Sequence, residues 1–150
     1  MSYLSLKSPL GDLTLFEEGG KIVALEWGWV DGGTETPLLG EGRNQLEQYF
    51  DGERQGFDLP LAPSGSAFQR KVWASLQHIP YGEVRRYGDL AAELGSAARA
   101  IGGACARNPL PIIVPCHRVV AAGGSLGGYS GLEGLDTKRF LLTLEGWPGS

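Results

Sequence analysis

Cys116 lies between an apolar run that ends at Val114 and two nitrogen-bearing side chains, His117 and Arg118. A free thiol titrates near ~8.5, and neighbouring positive charge or a histidine base draws that value into the physiological range. Pro115 removes a backbone donor directly before the cysteine and argues against a regular central strand. The spacing therefore predicts a bend, in which adjacent side chains need not point to opposite faces. A free cysteine in an apolar run is most often an inert buried thiol; the Pro115-Cys116-His117-Arg118 context argues for a reactive one. Glu145 is the second unusual residue. It falls at the end of a helix predicted over 135–144, where a carboxylate opposes the macrodipole at a cost of about 0.3–1 kcal/mol if exposed. Either it is a solvated surface acid, or a partner such as an imidazolium holds it. A Cys116–His117–Glu145 relay, with Glu145 orienting His117 and His117 activating Cys116, would employ it.

The elements that must position these residues fall into two groups. Tyr3 to Lys7, Leu13 to Phe16 and Ile22 to Trp27 are short, partly alternating and rich in β-formers, with turn-like Ser8-Pro9-Leu10-Gly11 and Glu18-Gly19-Gly20 between them. Leu38, Leu39, Leu46, Tyr49 and Phe50 fit a helical face that stops at Gly52. These residues predict a small meander sheet with one covering helix. Leu59 to Gly65, with two prolines and a glycine and no period, predicts a linker. Ser66-Ala67-Phe68-Gln69 has the form of a capping box opening a helix to about His78, its buried stripe Phe68, Val72, Leu76 and Ile79. Tyr87 to Leu94 and Ser96 to Cys105, joined at Gly95, predict a helix-turn-helix with Ser96 capping the second helix. That second helix carries little bulk besides Arg99 and Arg107. Its glycines and alanines suit close approach to a nucleic-acid groove or to another helix.

Composition narrows the function. The chain has 150 residues, 42% of them hydrophobic and 20% charged, enough for one ordinary domain or two small ones and against disorder. Two cysteines cannot build a disulfide scaffold, and with two histidines they leave little for a zinc site. No apolar run approaches the roughly 20 residues of a membrane span, and the alternating N-terminus lacks the apolar block of a signal peptide. A reducing, cytoplasmic setting is expected. The net charge of −4 is an average over unlike halves. Residues 1–66 hold 4 basic and 11 acidic residues (−7), whereas residues 67–150 hold 9 basic and 6 acidic (+3). Such asymmetry points to a polyanion-binding half joined to a neutralising one, unless it arose by chance.

Pro115-Cys116-His117-Arg118-Val119-Val120 resembles the active-site motif of the O6-alkylguanine-DNA alkyltransferases, the methylated-DNA–protein-cysteine methyltransferases. Further pieces follow in order at family-like spacing: Phe68-x-Arg70-x-Val72, Tyr81-Gly82-Glu83-Val84, Tyr87, Arg99 to Ala104, Asn108-Pro109, Gly128-Tyr129-Ser130-Gly131, and Lys138 through Leu141-Leu142 to Glu145-Gly146. The resemblance is close over 67–146 and loose over the N-terminal third. It implies an α/β protein of two domains: an RNase H-like N-terminal sheet with its covering helix (1–62) and a winged helix-turn-helix-like catalytic and DNA-binding domain (63–150).

By this resemblance, Cys116 would take the alkyl group from O6 of guanine once, as a thioether that cannot be hydrolysed. His117 would act as base through a water, Glu145 would orient it, and Asn108 would brace the cysteine loop. Tyr87 would hydrogen-bond the purine at N3 and help protonate the leaving guanine. The carbonyls of Cys116 and Val119 would take the exocyclic amine, the Ser130 N–H would meet O6, and Tyr129 and Pro111 would wall the pocket. Arg99 would fill the stack vacated by the flipped nucleotide, with Ala98, Gly102 and Gln69 joining it at a minor-groove surface. The implied partner is double-stranded DNA, met by a monomer that needs neither metal nor organic cofactor. Some members carry a structural zinc in the N-terminal domain; neither Cys nor His occurs here before His78. Cys105 lies outside the matched motif and reads as a small buried residue. Two other readings remain: a cysteine hydrolase built on the same relay, which would not need Arg99 or the small-residue helix, and a non-catalytic alkylated-DNA-binding module, which typically has Trp in place of the acceptor cysteine.

Overall fold

The computed structural model describes residues 1–148; Gly149 and Ser150 lie outside the described residues. The chain divides into two compact units, residues 1–64 and 65–150. In the first, strands β1 (Ser2–Ser8), β2 (Gly11–Glu18) and β3 (Lys21–Trp27) form an antiparallel meander in that order. Alternation sends Leu13 and Leu15 of β2 inward, and a register shift in the β2–β3 ladder, where Glu17 pairs with Ile22 but Phe16 with Ala24, lets both Ile22 and Leu25 of β3 be buried; each of the four is at most 2% exposed. Helix α1 (Pro37–Phe50) opens with Thr36 as N-cap and proline in its first turn, and covers them with Leu39, Leu46 and Tyr49. Leu38 and Phe50, expected on the same face, are only half-buried.

The segment expected to be a linker is partly structural. The Ile22 N–H donates to the Pro60 carbonyl at 2.8 Å, and the Ala62 N–H donates to the Ile22 carbonyl at 2.9 Å. Pro60 and Pro63 lack donors, but Ala62 between them donates to β3. Proline at an edge is compatible with this single bridge and with little more.

The second unit opens with α2 (Ala67–Leu76), whose capping box is as expected: Ser66 Oγ accepts from the Gln69 N–H and Gln69 Oε1 accepts from the Ser66 N–H. A two-residue strand β4 (Arg85–Arg86) leads into α3 (Tyr87–Leu94), and α4 (Ala98–Ala106) follows. Gly95 takes the left-handed conformation (φ 65°) that ends α3. Ser96 does not cap α4, contrary to expectation. Its N–H closes α3 instead, donating to the Ala91 carbonyl at 2.8 Å as in a Schellman motif. Ala97 is the α4 N-cap and offers no side-chain cap. Strand β5 (Val119–Val120) pairs in parallel with β4, Arg85 opposite Val119. This short ladder sets the start of α3 beside the chain leaving the cysteine. Helix α5 (Leu135–Leu144) occupies the span expected for it. No helix of the described residues is long and apolar enough to cross a membrane.

Candidate active site

The cysteine is presented by consecutive tight turns. Asn108 fastens the loop onto itself: Nδ2 donates to the Val114 carbonyl at 2.8 Å, and Oδ1 accepts from the Leu110 N–H at 2.9 Å. Inside the loop, Ile112 is held at φ 74°, a region a β-branched residue rarely adopts. Pro115 (φ −80°, ψ 66°) makes an inverse γ-turn, closed by the Cys116 N–H on the Val114 carbonyl at 2.8 Å. Cys116–Arg118 then winds into one 3₁₀ turn. The predicted bend is present; Cys116 lines the cavity described below, and His117 is not among its lining residues.

Behind the turn, His117 and Glu145 are fully buried and joined by a 2.7 Å bond between Nε2 and Oε2. Arg118 Nε donates to Glu145 Oε1 at 2.8 Å and Nη2 to Oε2 at 3.0 Å, while Nη1 donates to the Ile79 carbonyl at 2.7 Å. Burial alone would raise the Glu145 pKa, but the hydrogen bonds from His117 and Arg118 overcome it and bring it to about 2. Burial also lowers the His117 pKa, more than Glu145 raises it. The pair is therefore a carboxylate and a neutral imidazole that donates from Nε2, which leaves the Nδ1 lone pair available. Among the described residues, His117 Nδ1 is a buried polar atom with no hydrogen-bond partner, and the only other is the Tyr129 hydroxyl. Glu145 is thus no solvated surface acid.

In front of the turn lies a cavity of about 550 Å³, lined by Tyr87, Ala98, Arg99, Gly102, Cys105, Ala106, Cys116, Gly128, Tyr129 and Ser130. It brings together Cys116, Tyr87, Tyr129, Ser130, Arg99, Ala98 and Gly102 from the expected set. Pro111 and Val119 are buried and not among its lining residues. The Val119 carbonyl, expected to take an amine, already accepts from Lys138. Gln69 is likewise outside the lining, its side chain held in the α2 capping box. Ser130 Oγ donates to the Ala106 carbonyl at 3.1 Å, tying its loop to the end of α4. A Cβ on Gly103 would meet nothing within 4 Å, and one on Gly102 only the Tyr87 ring at 3.9 Å. Internal packing thus does not require small residues on this face of α4.

Two features depart from the sequence reading. The resting thiol is not activated: burial pushes the Cys116 pKa up, against smaller opposing effects of an Asn108 hydrogen bond and the Lys138 charge. Arg118, the cation adjacent in sequence, is spent on Glu145. The cation that acts on the thiol is Lys138, which the sequence reading quoted in a motif without giving it a role. It is fully buried, and its Nζ donates to the Val119 carbonyl at 2.5 Å, the Gly128 carbonyl at 3.0 Å and the Tyr87 hydroxyl at 3.5 Å. The available signal was its position on the apolar stripe of α5, in line with Leu141, Leu142 and Glu145 at helical spacing. Cys105 is buried on α4 as expected, and burial lifts its thiol to about 12.

Family models match both units: the DNA binding domain of 6-O-methylguanine DNA methyltransferase over residues 67–147, and its ribonuclease-like domain over residues 1–63. The chain is 46% identical to the constitutive methylated-DNA–protein-cysteine methyltransferase of Bacillus subtilis, over 95% of this chain and 94% of that one. It is 45% identical to the methylated-DNA–protein-cysteine methyltransferase of Methanosarcina acetivorans, over 97% and 99%. The crystal structure of Mycobacterium tuberculosis OGT in complex with DNA superposes with a TM-score of 0.86 at 42% identity, covering 97% of this chain and 92% of that one.

Proposed function

The chain belongs to the 6-O-methylguanine DNA methyltransferase family, and we propose that Cys116 is the residue on which it acts: the single-use acceptor of an alkyl group from O6-alkylguanine in duplex DNA. The observation that carries this reading is the order of groups across the turn. A thiol lines the cavity, a neutral histidine with an unpaired Nδ1 lies behind it, and a carboxylate fixed by an arginine holds that histidine.

A buried thiol with a raised pKa is a poor nucleophile until its proton has a destination. His117 Nδ1 receives that proton, through a water in the family mechanism, and Glu145 stabilises the imidazolium that forms. The Cys116 sulfur then attacks the alkyl carbon, the carbon–O6 bond breaks, and its electron pair leaves with the guanine. The product is a thioether without a hydrolytic route back, so each molecule acts once. Asn108 holds the cysteine loop in position, Tyr87 and the Ser130 N–H meet the purine, and Tyr129 walls it. The lesion must leave the stack to reach the cavity, at a cost of a few kcal/mol. Exposed Arg99 on α4 is positioned to fill the gap, and the open face at Ala98, Gly102 and Gly103 admits a minor-groove wall. Phosphate contacts from the basic half give binding that weakens with salt and depends little on sequence. Two free thiols suit a reducing cytoplasm.

The test is intact mass with peptide mapping after incubation with excess O6-benzylguanine. One benzyl group per chain on Cys116, with the reaction then stopping, is the expected result. Modification elsewhere, or of no residue with either O6-benzylguanine or methylated duplex DNA, would overturn the assignment.

A further inference from the structure

We propose that Cys105 is a second modification site of the pocket: it is the resolving thiol that captures Cys116 as an intramolecular disulfide when a hydroperoxide oxidises the acceptor.

The chain has two cysteines, and both line the same cavity of about 550 Å³. They reach it from different elements, Cys105 from the last turn of α4 and Cys116 from the 3₁₀ turn. Asn108 ties the two together. Its backbone N–H donates to the Cys105 carbonyl at 3.2 Å, while its side chain holds the Val114 carbonyl and hydrogen-bonds the Cys116 thiol. The excursion between the cysteines is thus closed on itself, and its two ends meet at the cavity. Both are free thiols, 9% and 7% exposed, in a space that a small hydroperoxide can enter. Charge coupling agrees with this placement: ionised Cys116 raises the Cys105 pKa, second only to burial, and the Lys138 charge acts on both sulfurs. Alkyl transfer gives Cys105 no task. A small buried residue at this point of α4 could be alanine, as on either side of it; thiol chemistry is what cysteine adds.

The surroundings divide the roles. His117, with its unpaired Nδ1, is the base that arms Cys116, whereas burial holds Cys105 protonated, with a pKa of about 12. Cys116 is therefore the sulfur that attacks. It takes the terminal oxygen of the hydroperoxide, the O–O bond breaks, and the thiol proton passes through His117 to the departing oxygen, which leaves as an alcohol. Sulfur is oxidised to a sulfenic acid and the peroxide is reduced. A sulfenic acid condenses with a thiol: the Cys105 sulfur attacks the Cys116 sulfur, the S–O bond breaks, and the Cys105 proton leaves with that oxygen as water. The raised pKa of Cys105 does not block this step, because the proton goes to the leaving group as the S–S bond forms. Two thiols and one hydroperoxide give one disulfide, one alcohol and one water. The consequence rests on the acceptor reading. A protein that acts once loses its whole capacity if Cys116 goes on to sulfinic acid, which thiols do not reduce. The disulfide stops oxidation short of that, and a reducing cytoplasm, where such bonds are transient, returns the thiol.

The test treats reduced protein, freed of reductant and kept dilute, with hydrogen peroxide, then caps remaining thiols with iodoacetamide for intact mass and tryptic mapping. Trypsin cuts after Arg107, between the two cysteines, so the disulfide appears as peptides 100–107 and 108–118 joined. Wild type should show that joined pair, with the chain two hydrogens lighter and no capped thiol, and dithiothreitol should restore its benzyl transfer from O6-benzylguanine. Cys105→Ala and Cys105→Ser should carry Cys116 on to sulfinic acid. After dithiothreitol each should recover roughly tenfold less of its own untreated transfer than wild type does, since sulfinic acid is not reduced. Wild type benzylated beforehand on Cys116 should keep a cappable thiol at Cys105. Absence of the joined pair, a disulfide between two chains instead, or equal recovery by the Cys105 variants would overturn the proposal. A joined pair in protein that neither O6-benzylguanine nor methylated duplex alkylates at Cys116 would overturn the acceptor assignment and leave the thiol pair standing.

Discussion

The two units handle buried polarity in opposite ways. In residues 1–64 the buried polar side chains are Thr14 and Gln45, both neutral. Thr14 Oγ1 donates to the Gly28 carbonyl at 2.8 Å and shares a 2.8 Å bond with Ser5 Oγ. Gln45 exchanges bonds with the Asp58 backbone at 2.8 and 3.1 Å. Its ion pairs, such as Arg43–Glu35, are half-exposed. In the second unit His117, Arg118, Lys138 and Glu145 are all at most 7% exposed, and among the described residues the buried side-chain atoms without partners, His117 Nδ1 and the Tyr129 hydroxyl, also lie there. Burying charge costs far more than burying a satisfied amide. The unit that bears this cost is the one with the cavity that Cys116 lines.

The sharpest break of this contrast is Cys116→Ala. It removes the acceptor without touching the charged network and should abolish transfer while leaving alkylated-duplex binding intact. Residual transfer, detected by mass, would make Cys105 or another residue the acceptor. Next in size is Glu145→Gln set against Glu35→Gln. Glu145 removal leaves Arg118 buried beside a neutral group and should cost about 3–5 kcal/mol in denaturant unfolding, whereas the exposed Glu35 pair should cost less than about 1 kcal/mol. Equal costs would end the distinction between the units. The same network sets the acid limb. Glu145 has a folded pKa of about 2, below its ordinary 4.5, so its contribution is present above 4.5 and lost as pH falls toward 2. His117, neutral when folded, adds a loss that begins as pH drops below 6.5, where the unfolded chain takes up the proton the fold excludes. Acid unfolding followed by fluorescence of the buried Trp73 should show this limb, and Glu145→Gln should flatten its part below 4.5.

How much was legible in the sequence follows the same division. The first unit's strands were legible because short runs of β-formers between glycine turns mark a meander, and Leu13 and Leu15 keep its alternation; the register shift that buries both Ile22 and Leu25 was not legible. The cysteine bend was legible because Pro115 forbids the alternative, and Glu145 because it stood at the wrong end of a helix dipole. Apart from the His117–Glu145 pair, which the relay reading anticipated, partners were not legible. Periodicity assigns Lys138 and Arg118 to a face or a turn, but only the return of α5 against the 3₁₀ turn decides that Arg118 meets Glu145 and Lys138 meets Val119. Ser96 shows the limit at smaller scale. A serine before a helix can close one helix or open the next, and the choice depended on Gly95 taking the left-handed turn.

Arg99→Ala sharpens the comparison within the second unit. The side chain is exposed and sits at the rim of the cavity rather than in the buried network, so folding should change by less than ~0.5 kcal/mol. Repair of methylated duplex should fall far more than reaction with free O6-benzylguanine, since only the duplex demands that a vacated stack be filled. Equal losses on both substrates would discard that role.

The smallest expected effect is also a discriminating one. Gly103 sits mid-helix in α4 with nothing within 4 Å of an added Cβ. Glycine in a helix interior is less stable than alanine by about 0.8–1 kcal/mol, so if α4 served packing alone, Gly103→Ala would raise the melting temperature and change nothing else. If the open face of α4 lies against a minor-groove wall, the added methyl occupies space the DNA needs. The variant should then melt a few degrees higher, react normally with O6-benzylguanine and repair duplex more slowly. A gain in stability with unchanged duplex repair would mean that DNA approaches elsewhere on the helix, on the side of Ala98 and Gly102 that borders the cavity. Stability and repair moving in opposite directions on one methyl group would show that the glycine is kept for its partner and not for the fold.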